Sequence, residues 1–283
     1  MADTLSDDVL RRAAERARSK RFDVRTMPGF TAIAAICFIA LYAPLFPMAF
    51  YSFNAGDSIA VWQGFSWRWY VSAWSNDLVK DVTVRSLIVA ACASAIATVL
   101  AVLAALGTTR TQPFRGQTLI YVLINQPLMV PEIVTGVALL VFFAMIKVAT
   151  GYTGLIYLIA AHAAFCIPFA YLPIRARLEG MDKTLEAAAS DLYATPLQAF
   201  RRVTLPLMTP GIVAGAMLAF VISLDDVVIT ELVKAAGQDT LPTYMLGQLR
   251  RAITPEINAI STALLAITVV LLTTIFFLTS KKE

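Results

Sequence analysis

Charge is scarce in this chain: only 15% of its 283 residues are Asp, Glu, Lys or Arg, too few to clothe an ordinary soluble domain. There is one histidine, His162, and there are three cysteines, Cys37, Cys92 and Cys166, scattered through apolar stretches. That spacing excludes a disulfide framework and a metal site. The thiols are expected to be buried and inert, and His162 to be a satisfied packing residue. No nucleophile-and-base pattern accompanies them, so no catalytic constellation is expected. A Gly-Lys pair is missing altogether, which excludes a phosphate-cradling G-x-x-x-x-G-K-[ST] loop. Any ATP has to be bound by a partner.

What is present is apolar. Hydrophobic residues make up 58% of the chain and the mean hydropathy is +0.71, so the question becomes where it crosses lipid. A helical crossing needs about 20 apolar residues. Such stretches occur at about 28–53, 86–107, 118–146, 153–174, 209–233 and 257–278, which predicts an all-α membrane protein of six transmembrane helices. Residues 1–27 form a tail, residues 28–283 one membrane domain, and residues 175–208 a polar loop inside it.

Lys and Arg collect on the cytoplasmic side. Seven lie in the tail, two after the second span, five in the 175–208 loop and two at the C-terminus, against seven elsewhere. Both termini are therefore expected in the cytoplasm. The net charge of +4 follows from this bias and not from a nucleic-acid footprint. The first span is longer than the apolar core of a signal peptide, so it is expected to stay as an uncleaved anchor. In the tail, Ser6-Asp7-Asp8 ahead of Val9, Leu10, Ala13 and Ala17 fits a capped helix, either lying on anionic lipid or solvated.

All four tryptophans fall between Trp62 and Trp74, in a segment this topology places outside. They suit an interfacial helix that either seats a partner or anchors in the headgroup layer. Pro127 and Pro131 lie just before Glu132 in the third span and Pro168 lies in the fourth, so both spans are expected to kink. Gly211, Gly215 and Ala219 form a ridge for close helix packing.

In the 175–208 loop, Asp182 can cap a helix from about Lys183 to Leu192. Thr195-Pro196-Leu197-Gln198 matches a capping box with Pro at the first helical position. Thr209-Pro210 repeats that signal and is expected to open span five. Glu186 and Asp191 would supply charged contacts. The run Glu186-Ala187-Ala188-Ala189-Ser190-Asp191-Leu192-Tyr193-Ala194, followed by Leu205-Pro206, resembles the EAA loop of permease subunits of bacterial ATP-binding-cassette importers. The resemblance implies the type I importer permease fold, with the first loop helix as a coupling helix that enters a cleft of the ATPase subunit. Glu186, Ala187, Ala188, Ala194, Leu205 and Pro206 match the family pattern; Tyr193 stands where the family has Gly. A side chain there is strained in the left-handed conformation that ends such helices. The helix is therefore expected to run on to about Ala194, with the Tyr193 ring packed on the ATPase or a neighbouring span.

Four acids lie within or at the edge of the spans: Glu132, about 14 residues into the third and so near mid-membrane, Asp225 and Asp226 in the outer third of the fifth, and Glu231 near its outer boundary. Such groups face a polar cavity or a partner, and an acidic lining favours cations. Adjacent helical residues diverge by about 100°, so Asp225 is read as facing the path and Asp226 as an interhelical partner. The alternative is that these carboxylates bond only to neighbouring helices or near-surface water. Ser52-Phe53-Asn54, Pro131-Glu132-Ile133-Val134, His162 to Pro168, Ser223-Leu224-Asp225-Asp226-Val227-Val228 and Pro255-Glu256-Ile257-Asn258-Ala259 together resemble the second permease of spermidine/putrescine importers. That resemblance implies a bacterial inner-membrane permease for polyamines. It would work with a paralogous permease, two ATPase subunits that bind ATP and Mg, and a periplasmic substrate-binding protein. The chain itself would carry no cofactor and catalyse no covalent chemistry. The alternatives are the same machine for another organic cation, an opine or an amino-acid-like solute, and, from another class, an ion-coupled secondary transporter.

Overall fold

The computed structural model describes residues 29–59, 61–251 and 254–280; the helix expected in the tail lies outside them. The described residues are helical, with no strand and one isolated backbone bridge between Asn54 and Phe65. The chain divides after Phe50 into two compact units.

In the first unit, α1 (Phe30–Tyr42) and α2 (Leu45–Tyr51) replace the single span expected over 28–53 and meet at a 44° bend. Pro44 lies at the break, where it has no N–H to continue the ladder, while Ala43 before it keeps helical geometry. Ile33, Ile36, Phe38, Ile39 and Leu41 are all exposed, an apolar surface on every side that suits lipid.

Near the start of the second unit, a loop is held together by Asn54. Asn54 Nδ2 donates to the carbonyls of Ser58 and Val61, its Oδ1 accepts the Gln63 amide, and its carbonyl accepts Trp69 Nε1. One short α-helix follows, α3 (Arg68–Ser75), carrying the tryptophan segment. Trp69 is buried, while Trp67 and Trp74 are exposed. The long α4 (Asp77–Thr109) is N-capped by the Asn76 side chain. It is 33 residues long, more than the 22-residue stretch of the expectation, because its polar first turns remain helical.

The third expected span is not one helix. α5 (Gln117–Met129) stops, Val130 is extended, and α6 (Glu132–Thr150) starts after Pro131. Pro131 pushes Val130 out of helical geometry, so Glu132 opens a helix where the expectation had it inside one. α7 (Ile156–Glu179) keeps Pro168 and Pro173 within a single helix.

Beyond the loop helices α8 (Thr184–Asp191) and α9 (Pro196–Ala199), a π turn at Phe200–Thr204 leads into α10 (Leu205–Asp225). Pro196 to Asp225 forms one helical run, so Thr209-Pro210 opens nothing. Thr209 Oγ1 is bonded instead to the Leu205 carbonyl within the helix. The Leu205 amide reaches back five residues to the Phe200 carbonyl, and this wider turn is an ordinary place for a helix to absorb a distortion. The fifth span also ends early, at Asp225; α11 (Val228–Val233) is a separate short helix, followed by α12 (Leu241–Arg251) and α13 (Pro255–Ser280).

By length and apolarity the described residues supply four crossing helices, α4, α6, α7 and the 196–225 run, or five with the bent pair α1 and α2 taken as one. The sixth expected crossing falls on α13, whose described apolar part, Pro255–Val270, is shorter.

α4, α7 and α10 pack on one another and form the core. Their contact is made by small residues. Ala90, Ala93, Ala97, Ala101 and Ala105 are fully buried along α4, and Gly211, Gly215 and Ala219 are buried along α10. A Cβ on Gly215 would sit 2.6 Å from the Ala170 carbonyl oxygen of α7. Where lipid tails are as apolar as the side chains, such close backbone approach drives helix association. Cys166 is buried here, its Sγ 3.4 Å from the Ala219 carbonyl; Cys37 and Cys92, expected to be buried, are exposed on apolar helix faces.

Candidate coupling loop and intramembrane acidic site

Two parts of the second unit gather the residues singled out in the sequence. In the loop, Asp182 Oδ1 accepts the Thr184 amide at 2.9 Å at the start of α8, and this bond holds its carboxyl below the usual aspartate value. The capping box forms as expected: Thr195 Oγ1 accepts the Gln198 amide and Gln198 Oε1 accepts the Thr195 amide.

The end of α8 differs from the expectation. The helix stops at Asp191 and Tyr193 takes φ 60° in the left-handed region. Its amide donates to the Ser190 carbonyl and the Ala194 amide to the Ala189 carbonyl. These two bonds are the Schellman closure, normally built around glycine. The Tyr193 residue is 96% exposed, so neither the extended helix nor ring packing on a span of this chain occurs. Main-chain hydrogen bonding wins over the strain of roughly 1–2 kcal/mol that a Cβ brings to this conformation.

Glu186 turns inward. Its Oε1 accepts Arg110 Nε at 3.0 Å and Thr204 Oγ1 at 2.9 Å. Ala187, Ala188 and Asp191 are exposed on the other side of α8, followed by the exposed Leu192 and Tyr193. Arg110, which caps the end of α4, has a further property. Its Nη1 and Nη2 are buried and find no hydrogen-bond partner among the described residues, an arrangement that costs roughly 1–3 kcal/mol per unpaired group.

At the other end of α10, the four membrane acids have four different surroundings. Asp226 is buried and N-caps α11. Its Oδ1 accepts the Ile229 amide at 3.2 Å, and its Oδ2 accepts the Thr230 amide at 2.8 Å and Thr230 Oγ1 at 2.9 Å. His162 of α7 lies against the same carboxylate, with Nε2 3.4 Å from Oδ2, 2.9 Å from Thr230 Oγ1, and Nδ1 2.8 Å from Ser223 Oγ. Asp226 therefore closes the helix break and meets α7 through His162. Glu132, at the first turn of α6, adjoins Asp226. Glu231 is exposed and ion-paired with Lys234 at 2.5 Å, and Lys234 also holds Asp239 at 2.6 Å. Burial would lower the Lys234 pKa, but its hydrogen bonds to Asp239 and Glu231 outweigh that and raise it.

Asp225 alone of the four is exposed without an ion-pair partner among the described residues. Asp225 lines a groove of about 220 Å³ between α10 and α13, with Val221, Leu224, Ser261, Leu264, Leu265 and Thr268. A carboxylate with hydroxyls in an otherwise apolar groove can receive an ammonium group and a methylene chain.

The sequence reading did not find Arg110, Thr204 or Thr230, and it named Ser223 only as part of the Ser223-Leu224-Asp225-Asp226 run, with no role of its own. Thr230 had a signal, a hydroxyl four residues after an acid at a break. Arg110 had a weaker one, the first basic residue after a long span.

Residues 97–280 match the family described as binding-protein-dependent transport system inner membrane component. The chain belongs to this family. It is 38% identical over 236 residues to the putrescine transport system permease protein PotI of Escherichia coli K12, covering 82% of this chain and 84% of that protein. With the spermidine/putrescine permease PotC of Haemophilus influenzae it shares 32% identity over 248 residues, 88% of this chain and 95% of that protein. Among solved structures, a bacterial transporter that imports the acidic polysaccharide alginate superposes with a TM-score of 0.70 at 14% identity, covering 98% of this chain and 99% of that one. This last likeness concerns the fold alone. Family membership and the apolar helices make the chain a multi-pass inner-membrane protein and a permease subunit of a binding-protein-dependent importer.

Proposed function

We propose that this chain is one of two paralogous permeases in an ATP-driven importer of polyamines, served by two ATPase subunits holding ATP and Mg and by a periplasmic substrate-binding protein. The likeness to putrescine and spermidine/putrescine permeases over more than four-fifths of the chain carries this reading. Asp225 supplies a chemical reason: a carboxylate facing an apolar groove suits a protonated amine on a short methylene chain. At the cytoplasmic end, the exposed surface of Ala187, Ala188, Asp191, Leu192 and Tyr193 suits insertion into an ATPase cleft. The distribution of Lys and Arg supports a cytoplasmic placement of both chain termini. In this reading ATP binding closes the ATPase pair and draws the coupling helices together, which opens the spans toward the binding protein; hydrolysis resets them.

The test is ATPase stimulation in the complete reconstituted assembly by binding protein loaded in turn with putrescine, spermidine, an opine or an amino acid. Stimulation by the polyamines is expected. A response confined to opines or amino acids overturns the cargo and keeps the machine. Uptake driven by an ion gradient, with no ATPase bound, overturns both.

A further inference from the structure

We infer that His162 is a positioning residue for import: its ring ties together the two helices on either side of the break at Asp225-Asp226, and so holds Asp225 in place at its groove. The inference deepens the importer reading above and rests on it.

The geometry carries it. α10 ends at Asp225, α11 starts at Val228, and Asp226 between them is extended, with ψ 131°. The two helices keep different company: α10 packs on α7 and α4, whereas α11 packs mainly on α6. Helices anchored in this way can change their mutual angle at the break, and Asp225, the last helical residue before it, turns with them. His162 of α7 spans the break. Its Nδ1 lies 2.8 Å from Ser223 Oγ in the last turn of α10, and its Nε2 lies 2.9 Å from Thr230 Oγ1 in α11. One rigid ring thus fixes a point on each flank, with Asp225 between them.

The hydrogens of this brace can be assigned. Thr230 Oγ1 donates to Asp226 Oδ2 at 2.9 Å, and a hydroxyl has one hydrogen to give. Thr230 therefore accepts from His162, so Nε2 carries the hydrogen and Nδ1 accepts the hydroxyl of Ser223. A continuous chain of bonds runs from Ser223 through His162 and Thr230 to Asp226. These residues are 4%, 1%, 0% and 6% exposed in that order. Away from water a fully satisfied network holds its members in one arrangement. A histidine that only packs needs any partner for each nitrogen, whereas here both partners belong to the flanks of a single break. His162 does not line the groove itself, so it acts through Asp225.

The experiment uses the complete assembly in liposomes with saturating putrescine-loaded binding protein, and reads the initial rate of putrescine import per assembled permease. His162→Phe, which keeps a ring and removes both nitrogens, is expected to lower import roughly fivefold, on the scale of one or two hydrogen bonds. The deciding variant combines it with Asp225→Asn. The double should import no worse than Asp225→Asn alone, because the brace then has no carboxylate left to hold in place. Losses that multiply, to roughly fiftyfold in the double, show a structural role independent of Asp225 and overturn the inference. Import unchanged by His162→Phe overturns it as well. If His162→Phe does not assemble, His162→Gln, which keeps a donor toward Thr230 and drops the bond to Ser223, takes its place in the same cycle with the same outcomes. A wild-type assembly that imports no putrescine refutes the cargo reading instead. The brace is then judged by hydrogen exchange in the segment that holds the Ile229 and Thr230 amides, which loss of the ring nitrogens should quicken about tenfold; unchanged exchange overturns it.

Discussion

The chain leaves a helix at two places with opposite surroundings, after Asp225 and after Asp191, and it closes them by different means. After Asp225 the exit is buried. One aspartate side chain accepts two amides and a hydroxyl, His162 leans on the same carboxylate, and no residue there has a positive φ. After Asp191 the exit is open to water, and the backbone closes on itself with Tyr193 strained and bare. Where water is absent, every amide freed by a break must find an internal partner, so side-chain chemistry is spent there on closure. At an exposed exit solvent satisfies whatever the main chain leaves, and a residue of unfavourable geometry is tolerated.

Removing the buried cap should break the contrast most severely. Asp226→Ala strands the Ile229 and Thr230 amides and leaves His162 facing an empty corner, with an expected loss of about 3 kcal/mol or more. Lower yield and a lower melting temperature of the detergent-extracted chain would report it. A wild-type melt would mean that the break is held by packing alone. Next in size is Gly215→Ala, in the helix that leads to this exit. Its new Cβ meets the Ala170 carbonyl at 2.6 Å, and backbone cannot step aside cheaply, so about 1–3 kcal/mol should be lost. Gly247→Ala in α12, where nothing lies within 4 Å, is the matched control and should be neutral or slightly stabilising.

Asp225 sharpens the comparison from inside the same exit. It is one residue from Asp226, yet it faces the groove while Asp226 faces the protein. Asp225→Asn should leave the melt within about 0.5 kcal/mol of wild type and lower polyamine import roughly tenfold, the effect of about 1.4 kcal/mol of lost attraction. Unchanged import would remove this residue from the path. A large stability loss would make it a second structural acid like its neighbour.

Much of this was legible in the sequence because it depends on short-range chemistry. The Thr195 capping box, the Asp182 cap and the small-residue ridge on α10 follow from spacing and helical geometry, whereas Asp225 and Asp226 part because the helix ends between them and Asp226 is extended. Other features were not legible, for identifiable reasons. Pro131 breaks the third span outright where a kink was expected: it holds Val130 extended, and nothing in the local pattern fixes how far the chain yields. Pro206 and Pro210 signal a helix start, but the π turn before them lets the helix run through. The Arg110–Glu186 pair joins residues far apart in sequence, and periodicity says nothing of such a meeting. The alanines of α4 recur at helical spacing and were open to the argument used for α10, which was not extended to them.

The smallest effect belongs to the exposed exit and tests the other half of the contrast. Tyr193→Gly relieves roughly 1–2 kcal/mol of left-handed strain, offset by the roughly 0.5–1 kcal/mol that glycine loses through its freer unfolded state. The net gain should be about 0.5 to 1 kcal/mol, local to the end of α8. Hydrogen exchange at the Tyr193 and Ala194 amides, which make the closing bonds, should therefore slow by roughly two- to fivefold. Faster exchange would show that the tyrosine stabilises the turn by a contact of its own. Slower exchange with the same global melt would leave the turn as the element that stores strain at the water face, while the buried exit stores none.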